Sequence, residues 1–141
     1  MKKEIGRDEG DHQIDYLINN AGVMALPEKR VTQDGFEMQI GINHFGHFYL
    51  TYHLWSCIRK SVNPRVINLS SLGHRRGNID FEDIFFEKGG YTGWKAYGNS
   101  KLANVLFSKE LQRRMDEANV HGFSASVHPG GVRTELGRYL L

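Results

Sequence analysis

One cysteine, three prolines and no Gly-x-Gly step anywhere in 141 residues set the first limits on this chain. With Cys57 alone, no internal disulfide can form, and the thiol sits among apolar residues of helical spacing rather than in a metal-ligand pattern, which fits a reducing compartment. No apolar run approaches the roughly 20 residues needed to span a bilayer. The opening Met1-Lys-Lys-Glu-Ile-Gly-Arg-Asp8 is too charged for the apolar stretch of a signal peptide, so no membrane segment is expected in this chain. The net charge is only +2, and Lys and Arg are interspersed with Asp and Glu. That leaves no basic stripe of the kind that phosphate neutralisation requires, and excludes nucleic acid as a partner. What remains, 40% apolar and 24% charged, is the balance of a globular protein with a real core.

The polar residues 1 to 13 read as the end of a surface helix. Ile14 to Ile18 is a short apolar run that breaks at Asn19-Asn20-Ala21-Gly22, a strand entering a turn. From Asp34-Gly35 onward Phe36, Ile40, Phe45, Phe48, Leu50, Leu54, Trp55 and Ile58 recur at mostly helical spacing, until Asn63-Pro64 stops the pattern. Arg65 to Ser70 is a second strand. Gly73 to Gly93 is long for a loop and is therefore a suspect functional segment. A second long helix is expected from about Ala96, carrying Leu102, Val105, Leu106, Phe107, Leu111 and Met115 toward a core. Phe123 to Val127 is a third strand, ending at His128-Pro129-Gly130-Gly131. Strands alternating with helices predict an α/β fold with a parallel sheet and right-handed crossovers. In such sheets ligands bind beyond the carboxyl ends of the strands. The three turns at those ends should therefore line one crevice.

Tyrosine followed four residues later by lysine occurs twice, at Tyr91 and Lys95 and at Tyr97 and Lys101. The spacing brings the pair together only on a helix. Tyr91 is enclosed by Gly89, Gly90 and Gly93, which disfavour helix, whereas Tyr97 opens the long amphipathic stretch. An ammonium beside a phenol favours the phenolate, and such a tyrosine can exchange a proton with an alcohol or a carbonyl. His44 and His47 lie three apart on a helix without Asp, Glu or Cys partners nearby in sequence, which is weak support for a metal, and no metal site is expected.

Several segments together resemble the short-chain dehydrogenase/reductase family. Asn19-Asn20-Ala21-Gly22 is similar to its Asn-Asn-Ala-Gly turn, Asn43-His-Phe-Gly46-His-Phe to its catalytic-asparagine helix, and Val66-Ile-Asn-Leu-Ser70-Ser71 to its catalytic-serine strand. Tyr97-Gly-Asn-Ser100-Lys101 resembles the active-site signature, and His128-Pro129-Gly130-Gly-Val132-Arg-Thr134 the nicotinamide-contacting loop. Asp34-Gly-Phe-Glu, Ser100-Lys-Leu-Ala-Asn-Val-Leu-Phe and Arg133-Thr-Glu-Leu-Gly-Arg138 resemble the retinol dehydrogenase-like branch.

The resemblance implies a partial Rossmann-like, doubly wound sheet and an NAD(P)-dependent interconversion of an alcohol and a carbonyl, on a hydrophobic substrate such as a retinoid, steroid or lipid aldehyde. Tyr97 would be the general acid or base, Ser71 would bond the substrate oxygen, Lys101 would tune Tyr97 and hold the nicotinamide ribose, and Asn43 would position a water. Asn19, Asn20, Ala21, Gly22, Tyr97, Lys101, Pro129, Gly130, Val132 and Thr134 would contact the cofactor, with NADP favoured and NAD possible. Duller readings stand beside these. Asn43 could be a helix-face amide, Asn19 to Gly22 a tight turn, Ser71 a cap, and Ser70 is the competing serine.

The family's glycine-rich phosphate turn lies upstream of Asn-Asn-Ala-Gly, and further sheet follows the nicotinamide loop. Residues 1–141 are thus expected to be one incomplete Rossmann-like catalytic domain. The alternative is a truncated, non-catalytic interaction module or incomplete gene product of the same family. The resemblance also implies a possible homodimer through the two long helices. It further implies an intracellular location, cytoplasmic or at the endoplasmic reticulum or mitochondrial membrane through segments outside this chain.

Overall fold

The computed structural model describes residues 12–132 and 134–137; the segment 1–11, which holds most of the expected surface helix, lies outside them, as do Arg133 and residues 138–141. Three parallel strands, β1 (Tyr16–Asn19), β2 (Arg65–Leu69) and β3 (Phe123–Val127), form a sheet in that order. The register sets Asn19 beside Asn68, and Asn68 beside Ser126. β1 begins later than the apolar run suggests, because the Ile14 amide donates to the carbonyl of Cys57 (3.2 Å) instead of joining a ladder.

The strand order advances one step at a time, so right-handed crossovers place both connecting helices over the same face. Side-chain bonds agree: Asn19 Nδ2 reaches Thr51 Oγ1 on the first connection (3.1 Å), and Asn68 Nδ2 reaches Ser108 Oγ on the second (2.9 Å).

The first connection is one helix in three pieces: α1 (Met38–Ile40), a π turn (Gly41–Phe45) and α2 (Gly46–Ile58). It starts later than Asp34-Gly35, since Gly35 at φ 86° closes a turn in which its amide donates to Thr32 O (3.0 Å). The buried Glu37 carboxylate caps the helix by accepting from the amides of Gln39 and Ile40, both at 2.9 Å. The second connection, α3 (Gly93–Glu117), starts earlier than Ala96, because the Thr92 hydroxyl accepts from Lys95 N (3.2 Å) and nucleates the first turn despite Gly93. It ends before Asn119, which takes the left-handed conformation (φ 53°) common just past a helix.

The faces these helices bury include Ile40, Ile58, Leu111 and Met115 from the expected apolar positions, but much of each buried stripe is polar. On α3 the stripe toward the sheet is Tyr97, Lys101, Asn104, Ser108, Leu111 and Met115, all buried at alternating four- and three-residue spacing, while Leu106 is half exposed. On the first connection Asn43, His47, Thr51 and Ile58 are buried, and Phe48 and Leu50 face outward. Both stripes run from polar to apolar. At the apolar end Ile58, Val66, Leu111 and Met115 form the core, with Leu17, Leu54 and Phe107 packed around it; each such burial contributes about 1.5–3 kcal/mol. At the polar end lie the carboxyl ends of the strands.

Candidate active site

The crevice at those carboxyl ends has a volume of about 760 Å³ and is lined by all three strand-end turns, Asn20 to Gly22, Ser70 and Ser71, and His128 to Val132, together with Tyr97 and Lys101 from α3. Met24, Leu69 and Leu136 give it apolar walls, and Thr134 closes one side. The structure therefore gathers the expected residues Asn20, Ala21, Gly22, Ser71, Tyr97, Lys101, Pro129, Gly130, Val132 and Thr134 around one space. Asn19 and Asn43 are the two expected residues that do not line it.

Asn19 falls on the inward face of β1 because strand side chains alternate and Leu17 already points under the helices. Its amide donates to Asn68 Oδ1 (2.8 Å) and Thr51 Oγ1 (3.1 Å), which holds the side chain beneath the crevice.

Asn43 sits in the π turn, the kind of single-turn bulge that often marks functional sites. Its side chain binds both backbone groups of Val23, accepting from the amide (2.8 Å) and donating to the carbonyl (2.9 Å), much as a neighbouring strand would. Its other hydrogen goes to Ser100 Oγ (2.9 Å), and Ser100 in turn donates to Tyr97 O (2.8 Å). Asn43 thus ties the turn after β1 to the Tyr97 end of α3. Both amide hydrogens are committed, which leaves the second lone pair of Oδ1 as the side chain's remaining hydrogen-bonding position.

The two serines separate by what their hydroxyls do. Ser70 is buried and donates to the Lys101 carbonyl (2.8 Å), a structural bond. Ser71 is the cap of the short turn Leu72–Arg76, where its Oγ accepts from Gly73 N (3.1 Å). Accepting leaves its O–H proton available to the crevice. The dull reading of Ser71 as a cap and its availability to a ligand hold together.

Tyr97 and Lys101 are each 4% exposed. Their shared face is the helical one the spacing requires, with Lys101 Nζ 5.6 Å from the centre of the Tyr97 ring. Nζ donates to the Leu69 carbonyl (3.0 Å), which leaves further N–H bonds for the crevice. Burial pushes the ammonium down to about 8. The rival pair is not on one helix face: Tyr91 precedes the Thr92 cap and uses its hydroxyl to donate to Leu26 O (3.0 Å) and accept from Gln39 Nε2 (3.1 Å), while Lys95 lies over the Phe86 ring.

Gly22 leaves room that a side chain would fill: a Cβ there would stand 3.1 Å from Asn43 Oδ1 and 3.7 Å from Lys101 Nζ. The bare backbone beside an ammonium, in a crevice that Ser71 also lines, fits the nicotinamide and ribose end of a dinucleotide.

Sequence reasoning missed the polar ladder that supports this site. Asn104 Nδ2 donates to Asn43 O (2.9 Å) and Leu69 O (3.0 Å), Ser108 Oγ donates to Asn104 O (2.9 Å), and Asn68 joins through Ser108. The signal was present as spacing, since Asn104 and Ser108 continue the Tyr97–Lys101 stripe. His44 Nδ1 meets Asn104 Oδ1 (3.1 Å) and His47 Nδ1 meets Asn43 O (3.0 Å), so the two imidazoles serve different partners; burial holds both below the ordinary histidine range.

Comparison with known proteins fits this geometry. The chain is 50% identical to human retinol dehydrogenase 13 over 131 residues, covering 93% of this chain and 39% of that protein. It is 50% identical to mouse retinol dehydrogenase 11 over 129 residues, covering 92% of this chain and 40% of that one. It therefore spans about two-fifths of the length of these relatives. A solved structure of an uncharacterised protein from Mycobacterium paratuberculosis superposes with a TM-score of 0.79 at 44% identity, over 93% of this chain and 47% of that one. The family profile described as short chain dehydrogenase matches residues 7–83, more than half of the chain. By that match, and by a sheet and crevice of the expected Rossmann-like form, the chain belongs to the short chain dehydrogenase family.

Proposed function

We propose that the chain carries the proton-transfer machinery of an NAD(P)-dependent oxidoreductase that interconverts an alcohol and a carbonyl on a hydrophobic substrate of retinoid, steroid or lipid-aldehyde type, with NADP preferred. The observation that carries this reading is the placement of Tyr97 and Lys101, one helical turn apart and both buried, at a crevice onto which Ser71 and the Gly22 and Gly130 turns also open. The names of the relatives, retinol dehydrogenases 13 and 11, support the substrate class, as do the Met24, Leu69 and Leu136 walls.

In the reducing direction, the Tyr97 hydroxyl gives its proton to the carbonyl oxygen as negative charge develops there, and the Ser71 O–H donates a second hydrogen bond to the same atom. The Lys101 ammonium favours the phenolate that Tyr97 becomes. In the oxidising direction the phenolate takes the alcohol proton. Lys101 and the Gly22 and Gly130 turns hold the nicotinamide ribose end of the cofactor, which when bound supplies or accepts the hydride. Asn43 acts as a positioning residue through Val23 and Ser100.

The test is titration of the chain with NADPH and NADH by fluorescence, followed by turnover on a hydrophobic aldehyde. Saturable binding, tighter for NADPH, is expected. Tyr97→Phe should abolish turnover while binding and the unfolding midpoint stay near the parent's; retained turnover sinks the assignment.

A second reading, a non-catalytic interaction module, is favoured by the exposed Phe48, Tyr49 and Tyr52 on α2 and Leu106 on α3. The same surface suits a homodimer in either reading. Self-association without saturable NADPH binding would decide for the module. On the likeness to its relatives we place the protein inside the cell; among the described residues no helix is long and apolar enough to cross a membrane.

A further inference from the structure

We propose that Asn104, oriented by His44, is the positioning residue that fixes where the Lys101 ammonium sits; this rests on the reading of Tyr97 and Lys101 as the proton-transfer pair. The Leu69 carbonyl, at the end of β2, is where Lys101 Nζ docks (3.0 Å), and the same oxygen accepts from Asn104 Nδ2 (3.0 Å). The second Nδ2 hydrogen goes to the Asn43 carbonyl (2.9 Å) in the π turn. One carboxamide therefore joins the end of β2, where the lysine docks, to the π turn. Asn104 is 1% exposed, so no solvent replaces it in that role.

The direction of every hydrogen in this cluster follows from chemistry. Two carbonyl oxygens can only accept, so the NH₂ end of Asn104 must face them. Its Oδ1 then faces His44 Nδ1 at 3.1 Å, and since Oδ1 can only accept, His44 must carry its hydrogen on Nδ1. The Asn43 carbonyl also meets His47 Nδ1 (3.0 Å), so that imidazole donates from the same position. If His44 turned to its other tautomer, it would set one lone pair against another and push the carboxamide off its two carbonyl partners. Lys101 has a long flexible stem, and a single fixed acceptor decides which of its N–H bonds remain for the crevice. A misplacement of about 1 Å in such an arrangement can cost on the order of 100-fold in rate.

Four variants and one spectrum test this on the full chain. Asn104→Leu and Asn104→Asp keep the side-chain volume but cannot donate to the two carbonyls, and His44→Leu removes the orienting donor. Each is expected to lower kcat about 10- to 100-fold, with the KM of the hydrophobic substrate changed by no more than about two-fold. His44→Asn places an amide N–H where Nδ1 stood and should recover kcat to within about three-fold of the parent. Independently of turnover, ¹⁵N NMR of the imidazoles in the parent should find the His44 hydrogen on Nδ1. If His44 carries it on Nε2, or if Asn104→Leu and Asn104→Asp keep parental kcat while Tyr97→Phe is inactive, the inference falls alone. If Tyr97→Phe itself keeps parental kcat, the proton-transfer reading falls and the inference falls with it.

Discussion

Replacing Lys101 by methionine is expected to make the protein more stable while removing its activity. The buried ammonium has its ordinary value of 10.5 pushed down to about 8 by desolvation. At about 1.4 kcal/mol per tenfold, holding the charge in the folded site costs about 3 kcal/mol relative to the unfolded chain. Methionine fills similar space without a charge. It forfeits the bond to Leu69 O, worth about 1 kcal/mol, but that oxygen keeps its bond from Asn104. The net gain at pH 7 is about 2 kcal/mol. The sign of the pH dependence follows. Below pH 8 the lysine is protonated in both states and the full penalty applies; between about 8 and 10.5 the unfolded chain binds more protons than the folded one, so the parent gains stability as pH rises. By pH 9.5 about 2 kcal/mol of the handicap should be gone. Urea unfolding of parent and Lys101→Met at pH 7 and pH 9.5, followed by Trp55 and Trp94 fluorescence, measures the difference and cancels the other titrating groups. A difference that is absent at pH 7, or identical at the two pH values, refutes the reasoning.

The two tyrosine–lysine pairs should separate cleanly. Tyr91→Phe is expected to cost about 1–2 kcal/mol, since Leu26 O and Gln39 lose a partner, with kcat unchanged in the aldehyde assay. Ser70→Ala should lower the urea midpoint by the equivalent of about 1 kcal/mol with little effect on kcat, whereas Ser71→Ala should lower kcat at least about 100-fold, of the order seen when one oxyanion donor is removed. Gly93→Ala would put a Cβ 2.4 Å from Leu26 O, and chemical denaturation should find a loss of about 3 kcal/mol. The proposed homodimer surface is tested at Tyr52, 69% exposed on α2: a change to Glu should abolish self-association in sedimentation without altering the unfolding midpoint, and an unchanged mass argues against that surface.

Strand positions, the parallel sheet and the convergence of three turns were legible because glycine, proline and asparagine punctuate this sequence where strands end. Tyr97 could be chosen over Tyr91 from the flanking glycines, and the structure agrees in separating Tyr91 from the helix. The buried helix faces were legible only at their apolar ends, where Ile58, Leu111 and Met115 reach the core. Hydrophobic periodicity assumes that what is apolar is buried, but toward the crevice the stripe facing the sheet is Asn43, His47 and Thr51 on one helix and Lys101, Asn104 and Ser108 on the other, while Phe48 and Tyr49 point outward. Polar residues can be inside where another element meets them, as Ser108 meets Asn68 and Leu69 meets Asn104, and a single sequence does not reveal partners. The π turn was hidden for a related reason. Its extra residue shifts the helical phase at Gly41–Phe45, and no residue type marks such a shift.

The pairing of Asn19 with Asn68 also works as a ruler during folding. A slip of one residue between β1 and β2 would bring Ile18 or Asn20 beside Asn68 and turn Asn19 to the other face of the sheet. Apolar strands alone tolerate such slips, because one aliphatic contact resembles another. Here the slipped state breaks the Asn19 bonds to Asn68 and Thr51 and leaves Asn68 Oδ1 buried without its donor, at about 1–3 kcal/mol for the group left unpaired. Buried asparagines that add little net stability to the correct sheet thus raise the energy of its nearest misfolded competitors.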